Sequence, residues 1–249
     1  MSVTGAEPEP IEDGLEKPKF LPPEVMEGIF SFVPTLTALN ILPFVSKDVM
    51  AILKGPGAWR HLDGSKMEEI SVADMNTLCT LANAKCQSLT CFAGFYYVSA
   101  ASKYFRIPMD LVWPELVTLV VGSRVIGFKS DVLVNALSKG HFPSLKHLVI
   151  SPCLDPENLD TVEKPWKLES LLSLTLSVSD VRDPEAGDFT CFTTVKHLRS
   201  LVISFEKMSS PNLTAHVPDK VVDLKLSFSK EHKDVTLPEV FEENVVPKG

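Results

Sequence analysis

The amino-acid sequence predicts an α/β fold, in which a small helical module is followed by a short solenoid of repeated units with a parallel sheet. Three observations favour this fold. An apolar pattern of fixed internal spacing recurs through residues 116–226, segments of helical periodicity lie between its copies, and residues 20–63 contain three short helix-forming runs. With 45% hydrophobic and 22% charged residues, the 249-residue chain has the composition of a globular protein.

The repeated pattern reads apolar-x-x-apolar-x-apolar. The five complete copies begin at Leu116, Leu145, Leu171, Leu198 and Val221. The two weaker copies are Met67 with Ile70 and Val72, and Leu89 with Phe92 and Gly94. Successive copies begin 22, 27, 29, 26, 27 and 23 residues apart. This period resembles that of leucine-rich repeats, roughly 20 to 29 residues. The Asn or Cys that the family carries eight residues after the first Leu occurs once, as Cys153.

The pattern has a physical reason, since side chains two residues apart in a strand point to the same side. No single unit can bury its apolar side alone, so we expect the strands to stack into one parallel sheet, with helices such as residues 129–139 or loops outside it. The flanking residues then project from the concave side. They include His147, Val149, Ser173, Thr175, Ser200, Val202, Asp223 and Lys225. The alternative is an ordinary α/β or mixed domain whose buried strands mimic the pattern.

The segment before the repeats predicts three helices. The first begins at Leu21-Pro22-Pro23, carries apolar residues at helical spacing and ends at Pro34. The second, capped by Thr35 or Thr37, runs through Val45 with Pro43 near its end. The third begins at Ser46 or Lys47 and runs to Leu53 before Gly55-Pro56-Gly57.

This segment resembles an F-box. The matching residues are Leu21-Pro22, Ile29-Phe30, Val33-Pro34, Val45-Ser46-Lys47 and Trp59 with Leu62. After Val45-Ser46-Lys47, the chain has Asp48-Val49-Met50 where the family usually has a basic residue and an aromatic one. A helical cap that shields the first repeat from water is the alternative interpretation.

The resemblance implies a substrate-recognition subunit of a cullin-RING (SCF-type) ubiquitin ligase, which performs no chemistry itself. The F-box would bind a Skp-type adaptor of the cullin ligase core, and the repeats would hold a protein substrate on their concave side. The adaptor contacts carried over by the resemblance are Leu21, Pro22, Ile29, Phe30, Val45 and Trp59. Two alternatives stay open: a scaffold subunit of a larger assembly without ligase activity, and an unrelated enzyme.

Charge and composition disfavour several other classes of protein. The net charge is −8 and no basic run is present, which argues against nucleic acid or an anionic membrane as the main partner. No apolar run approaches the roughly 20 residues of a membrane-spanning helix. The histidines lack zinc-binding spacing and no phosphate-binding glycine loop is present, so we expect neither a metal nor a cofactor.

The two ends of the chain and its cysteines complete the predicted organisation. Residues 1–19 are acidic and unlike a secretory or transit peptide, so we expect a disordered tail. The five cysteines are odd in number and lack a C-x-x-C pair, which favours reduced thiols in the cytoplasm or nucleus. The predicted domains are the tail, the module at 20–63, the repeats at 64–234, and a C-terminal tail or cap at 235–249.

Overall fold

The computed structural model is an α/β protein with a parallel sheet that forms a short solenoid. The structure describes residues 21–63, 72–91, 110–122, 130–154, 165–178, 194–205 and 220–228, so both predicted tails lie outside it. The α-helices are α1 (Pro23–Phe30), α2 (Thr35–Asn40), α3 (Lys47–Leu53), α4 (Val72–Ala82) and α5 (Ser130–Lys139). The strands are β1 (His61–Asp63), β2 (Ser88–Cys91), β3 (Thr118–Val121), β4 (His147–Leu154), β5 (Ser173–Val178), β6 (Ser200–Phe205) and β7 (Asp223–Phe228).

The strands pair in chain order, each one parallel to the next, so the predicted parallel stacking is confirmed. One leucine from each strand is paired with its equivalent in the neighbouring strand, and all of them are buried. This leucine column consists of Leu62, Leu89, Leu119, Leu148, Leu174, Leu201 and Leu224. Seven stacked leucines therefore make one continuous core through the sheet, as expected of units that cannot bury their apolar sides separately.

The two weak copies of the pattern were placed wrongly. Leu89 pairs with Leu119, the second position of its copy, so the first position of that unit is the fully buried Cys86 rather than Leu89. The copy beginning at Met67 is not a strand where it can be tested, because Val72 begins α4, while Met67 and Ile70 lie outside the described residues. The first strand is instead β1, at the end of the predicted helical module.

A further buried position lies three residues before the first Leu of four units. It is occupied by Trp113, Phe142, Leu168 and Val195. In each unit the N–H of that Leu donates to the carbonyl of this residue at 3.2 or 3.3 Å, which closes a turn leading into the strand. In these four units the apolar pattern therefore begins three residues earlier than predicted from the sequence.

A ladder of backbone carbonyls runs along the edge where the strands begin. For each of β1 to β6, the backbone carbonyl of the residue before the strand accepts two hydrogen bonds from the neighbouring strand. One comes from the N–H of the residue before that neighbouring strand, and the other from the N–H of its first residue. Lys146, for example, accepts from Leu172 at 2.8 Å and from Ser173 at 3.0 Å. The acceptors are Arg60, Gln87, Val117, Lys146, Leu172 and Arg199. This edge consequently has satisfied backbone groups and a fixed strand spacing of about 4.8 Å.

Three α-helices form in the N-terminal segment, two of them close to the predicted bounds. α1 follows Pro22, and α3 is capped by Ser46, whose Oγ accepts from the N–H of Val49 at 3.1 Å. The second helix is shorter than predicted: α2 ends at Asn40 and the chain continues as a 3₁₀ turn over Leu42–Phe44. Pro43 explains this break, since proline has no N–H and its ring clashes within an α-helix.

One hydrogen bond connects this segment to the sheet, and a second joins two parts of the segment to each other. The predicted cap Thr35 is buried, and its Oγ1 instead accepts from the N–H of Asp63 in β1 at 3.0 Å. The Nε1–H of Trp59 donates to the carbonyl of Leu53 at 2.7 Å. The end of the helical segment is therefore built into the first strand of the solenoid.

Candidate functional site

Exposed apolar side chains concentrate on the N-terminal helices. Within the described part of the chain, ten large apolar residues are exposed, and seven of them precede the first strand. Those seven are Leu21, Val25, Ile29, Phe32, Ile41, Val45 and Met50. Soluble monomers rarely expose contiguous apolar surface without a use for it, so this region is the first candidate for a partner interface.

α1 carries apolar residues on two sides. Val25 and Ile29 are four residues apart, which places them along one side of the helix, and Leu21 lies two residues before its start; the three are 47%, 46% and 51% exposed, respectively. On the other side Phe30 is buried, and Met26 packs against the core. We call the exposed set Leu21, Val25 and Ile29 the apolar stripe. A helix anchored by one side and bare on the other is suited to lie against a groove in a partner.

The six residues carried over from the F-box resemblance divide into two groups. Leu21, Pro22, Ile29 and Val45 are accessible, but Phe30 and Trp59 are only 6% and 3% exposed. Phe30 and Trp59 pack within this chain's own core, and binding of the six residues to an adaptor stays a prediction. Val25 is accessible as well. The apolar spacing in the sequence predicts that Val25 is in the first helix, but not which side of the helix it is on.

An apolar groove adjoins this surface. It has a volume of about 360 Å³ and lies between the N-terminal helices and α4. Its lining includes Leu39, Pro43, Met50, Leu78 and Leu81. Met50 and Leu81 are themselves among the exposed apolar residues, so the groove and the exposed region share part of their surface.

The residues predicted to face a substrate lie side by side on the outward side of the sheet. His147, Ser173, Ser200 and Asp223 form one row across β4 to β7, and Val149, Thr175, Val202 and Lys225 form the next. All eight are exposed or half-buried, whereas the residues between them are buried. The alternation expected from the pattern is therefore confirmed, but their binding to a substrate stays a prediction.

This outward side carries mostly small and polar side chains. The Oγ of Ser200 donates to Asp223 at 3.1 Å, and the hydroxyls of Ser204 and Ser227 are 2.7 Å apart. Lys225 lies 3.8 Å from Asp223. The two predicted rows contain no Tyr, Trp or Arg, the residues that usually anchor protein interfaces. Within the two rows, these contacts join Ser200 and Lys225 to Asp223.

Basic residues line a different surface, at the edge where β4 to β7 begin. Lys146, His197, Arg199 and Lys220 surround a depression of about 620 Å³ together with Glu169. We call these four residues the basic edge, and all four are exposed. The basic edge was not predicted from the sequence because its residues are far apart in the chain. The sequence feature that could have indicated the basic edge is the Lys or Arg directly before each of the strands that begin at residues 147 and 200.

Cys79 and Cys86 are buried and have weakly acidic thiols. Burial raises the pKa of Cys79 to about 12, and the neighbouring Cys86 adds to the rise. Burial likewise raises the pKa of Cys86 to about 12, against hydrogen bonds that favour its thiolate. A nucleophilic or metal-binding cysteine needs the thiolate, so these two thiols serve packing.

Within the residues that the structure describes, no group of three or more His, Cys, Asp or Glu side chains could hold a metal ion. Among the helices described above, none combines the length and apolar character needed to cross a bilayer. No model of a known protein family matches the chain, and no curated protein matches it.

Proposed function

We propose that this protein is the substrate-recognition subunit of a cullin-RING ubiquitin ligase, acting in the cytoplasm or nucleus. Its N-terminal helices would bind a Skp-type adaptor, and its repeats would hold a protein substrate. The observation that carries the proposal is the apolar stripe on α1, because it lies within the segment that resembles an F-box and has no partner among the described residues.

The accessible residues suggest how the adaptor would be bound. Leu21 and Ile29 occupy positions of the F-box motif, and Val25 lies on the same side of α1 as Ile29. Covering this side would remove apolar surface from water, while Phe30 holds the helix to the core from the opposite side. The adaptor would thus meet a helix whose position is already fixed, which lowers the entropy lost on binding.

The apolar stripe allows an estimate of its contribution to the free energy of adaptor binding. Burying a whole Val or Ile side chain stabilises by about 1.5 to 3 kcal/mol, so covering the exposed half of each is worth about 1 kcal/mol. Removing Val25 and Ile29 together would therefore weaken binding by about 2 kcal/mol, or roughly thirtyfold in Kd.

The test is a binding titration of the purified chain against a purified Skp-type adaptor by isothermal titration calorimetry. We expect Val25→Ser with Ile29→Ser to weaken binding about thirtyfold. The matched control is Val112→Ser with Val222→Ser, since these valines are also exposed, at 49% and 83%, but lie outside the helical segment. The control variant should bind as the unaltered chain does.

Two results would contradict the proposal. One is the absence of binding by the unaltered chain, and the other is equal affinity of both double variants for the adaptor. Affinity purification from cells separates the ligase from the scaffold alternative. Recovery of a cullin with its adaptor supports the ligase, whereas stoichiometric recovery of another assembly supports a scaffold subunit.

A further inference from the structure

The basic edge is a local reversal of charge on an acidic chain. The protein has a net charge of −8, yet Lys146, Arg199, Lys220 and His197 surround one depression, and Glu169 is the carboxylate that lines it among the described residues. We propose that the basic edge is a docking site for a short acidic peptide segment of a partner protein. This places the contact at the edge where the strands begin rather than on the outward side of the sheet.

The cationic side chains are attached to backbone that is held in place. The carbonyl of Lys146 accepts the N–H groups of Leu172 and Ser173, and the carbonyl of Arg199 accepts those of Val222 and Asp223, all between 2.8 and 3.0 Å. Lys146 and Arg199 precede strands two positions apart in the sheet, so their backbones are about 10 Å apart. The backbone positions from which these two side chains extend are consequently set by the sheet and not by a loop.

The cations are not neutralised by neighbours in the described residues. The ion pairs found there join Lys85 to Glu115 and Lys225 to Asp223, and neither includes a member of the basic edge. Glu169 lines the same depression without forming an ion pair of its own in that part of the chain. Lys146, Arg199 and Lys220 are therefore available to a ligand, and each long side chain can reach toward the depression.

The size of the basic edge favours a peptide. The distance across β4 to β7 is three strand spacings, about 14 Å, which an extended segment of four or five residues covers. Carboxylates at alternate positions of such a segment point the same way and can meet Lys146, Arg199 and Lys220. A long polyanion is disfavoured by the overall charge of −8, which repels it as it approaches the molecule.

This inference rests on the proposed function in one respect, since it takes the repeats to be the part that holds a protein partner. Its test is independent of the adaptor. The probe is a fluorescein-labelled decapeptide of alternating Glu and Gly, titrated with the full chain in low and physiological salt and read by fluorescence anisotropy. We expect measurable binding that weakens severalfold with salt, because the contacts are between exposed charges.

Two double variants change the net charge equally. Lys146→Gln with Arg199→Gln should weaken peptide binding at least tenfold. Arg60→Gln with Lys139→Gln removes two exposed cations elsewhere, one of them from the same carbonyl ladder, and should stay within twofold of the unaltered chain. Circular dichroism of both variants checks that the fold is kept.

Three outcomes would overturn the proposal. They are no binding of the Glu-Gly peptide, equal loss of binding in the two double variants, and tighter binding of a single-stranded RNA ten nucleotides long. Failure here would leave adaptor binding by the apolar stripe untouched, and failure of adaptor binding would leave this titration unchanged. The two proposals can therefore be rejected separately.

Discussion

Truncating a leucine in the middle of the sheet should reveal whether the leucine column is one continuous core. Leu174 in β5 is fully buried and lies between Leu148 and Leu201 of the neighbouring strands. Leu174→Ala removes groups worth about 0.8 kcal/mol per CH₂, or about 2.4 kcal/mol in total. The cavity left between two strands that cannot collapse adds to this loss, so we expect a destabilisation of about 3 to 4 kcal/mol.

The assay is equilibrium unfolding in urea, followed by far-ultraviolet circular dichroism. The matched control is Thr175→Ala, the next residue on the outward side, which should lower the free energy of unfolding by less than about 1 kcal/mol. Leu226→Ala in the last strand should lie between these values, because β7 has a single neighbouring strand among those described. Similar losses for Leu174→Ala and Thr175→Ala would refute a continuous leucine core.

Three further predictions concern particular residues. Phe30→Ala should cost about 3 kcal/mol in urea unfolding and Ile29→Ala less than about 1, since Phe30 is buried and Ile29 is half exposed; the reverse order would contradict the orientation of α1. Gly140 has a φ of +75°, so Gly140→Ala should lower stability by about 1 kcal/mol in the same assay, whereas Gly28→Ala in α1, where an added Cβ meets no atom within 4 Å, should be neutral or stabilising. A pKa near 12 rather than 9 leaves about a thousandfold less thiolate on Cys79 and Cys86, so N-ethylmaleimide at pH 8, mapped by mass spectrometry, should label both only after unfolding; rapid labelling of the native chain would contradict their burial.

The same two thiols predict how stability changes with alkaline pH. Their pKa values are about 12 in the folded protein against 9.0 for an ordinary thiol, so the folded state holds these protons more tightly. Their contribution is therefore intact below pH 9 and is lost as pH rises toward 12. Urea unfolding at pH 8 and pH 10.5 measures it: Cys79→Ala with Cys86→Ala should show a smaller loss between these values than the unaltered chain does.

The parallel sheet could be predicted because its later units follow the pattern completely. Leu145, Leu171 and Leu198 precede strands β4, β5 and β6, in which the second and fourth residues are a Leu and then a Leu or Ile, and all of these side chains are buried. The turn that closes α5 shows the same agreement between local chemistry and fold. Gly140 donates to the carbonyl of Leu137 and His141 to that of Ala136, the pair of bonds typical of a glycine-ended helix.

The first units could not be placed in the same way, because their apolar positions are not all aliphatic. Cys86 occupies the first position of its unit, and Trp59 occupies the first position of the unit before it. Neither residue is aliphatic, so neither fits a pattern of Leu, Ile, Val and Met. Met67 and Val72 have the right spacing by chance, and the helix α4 begins there instead. Spacing alone does not distinguish a strand of this pattern from a helix start.

The candidate sites were harder to predict than the fold. A family motif names Phe30 and Trp59 together with Leu21 and Ile29, but it does not say which of them pack inward. That distinction depends on the position of α1 against the 3₁₀ turn at residues 56–59, a tertiary contact. The basic edge is also tertiary, since Lys146 and Lys220 are brought together only by the stacking of four strands.

The carbonyl ladder gives the molecule one edge that tolerates little change in length and leaves other parts of each unit free to vary. Strands begin 27, 30, 29, 26, 27 and 23 residues apart, yet β1 to β7 keep their pairing at this edge. One residue inserted between Arg199 and Leu201 would turn every following side chain of β6 to the opposite side of the sheet. Insertions in the connecting segments leave the bonding pattern at the strand starts intact. Such a chain can acquire new surface loops, and with them new partners, without refolding its core.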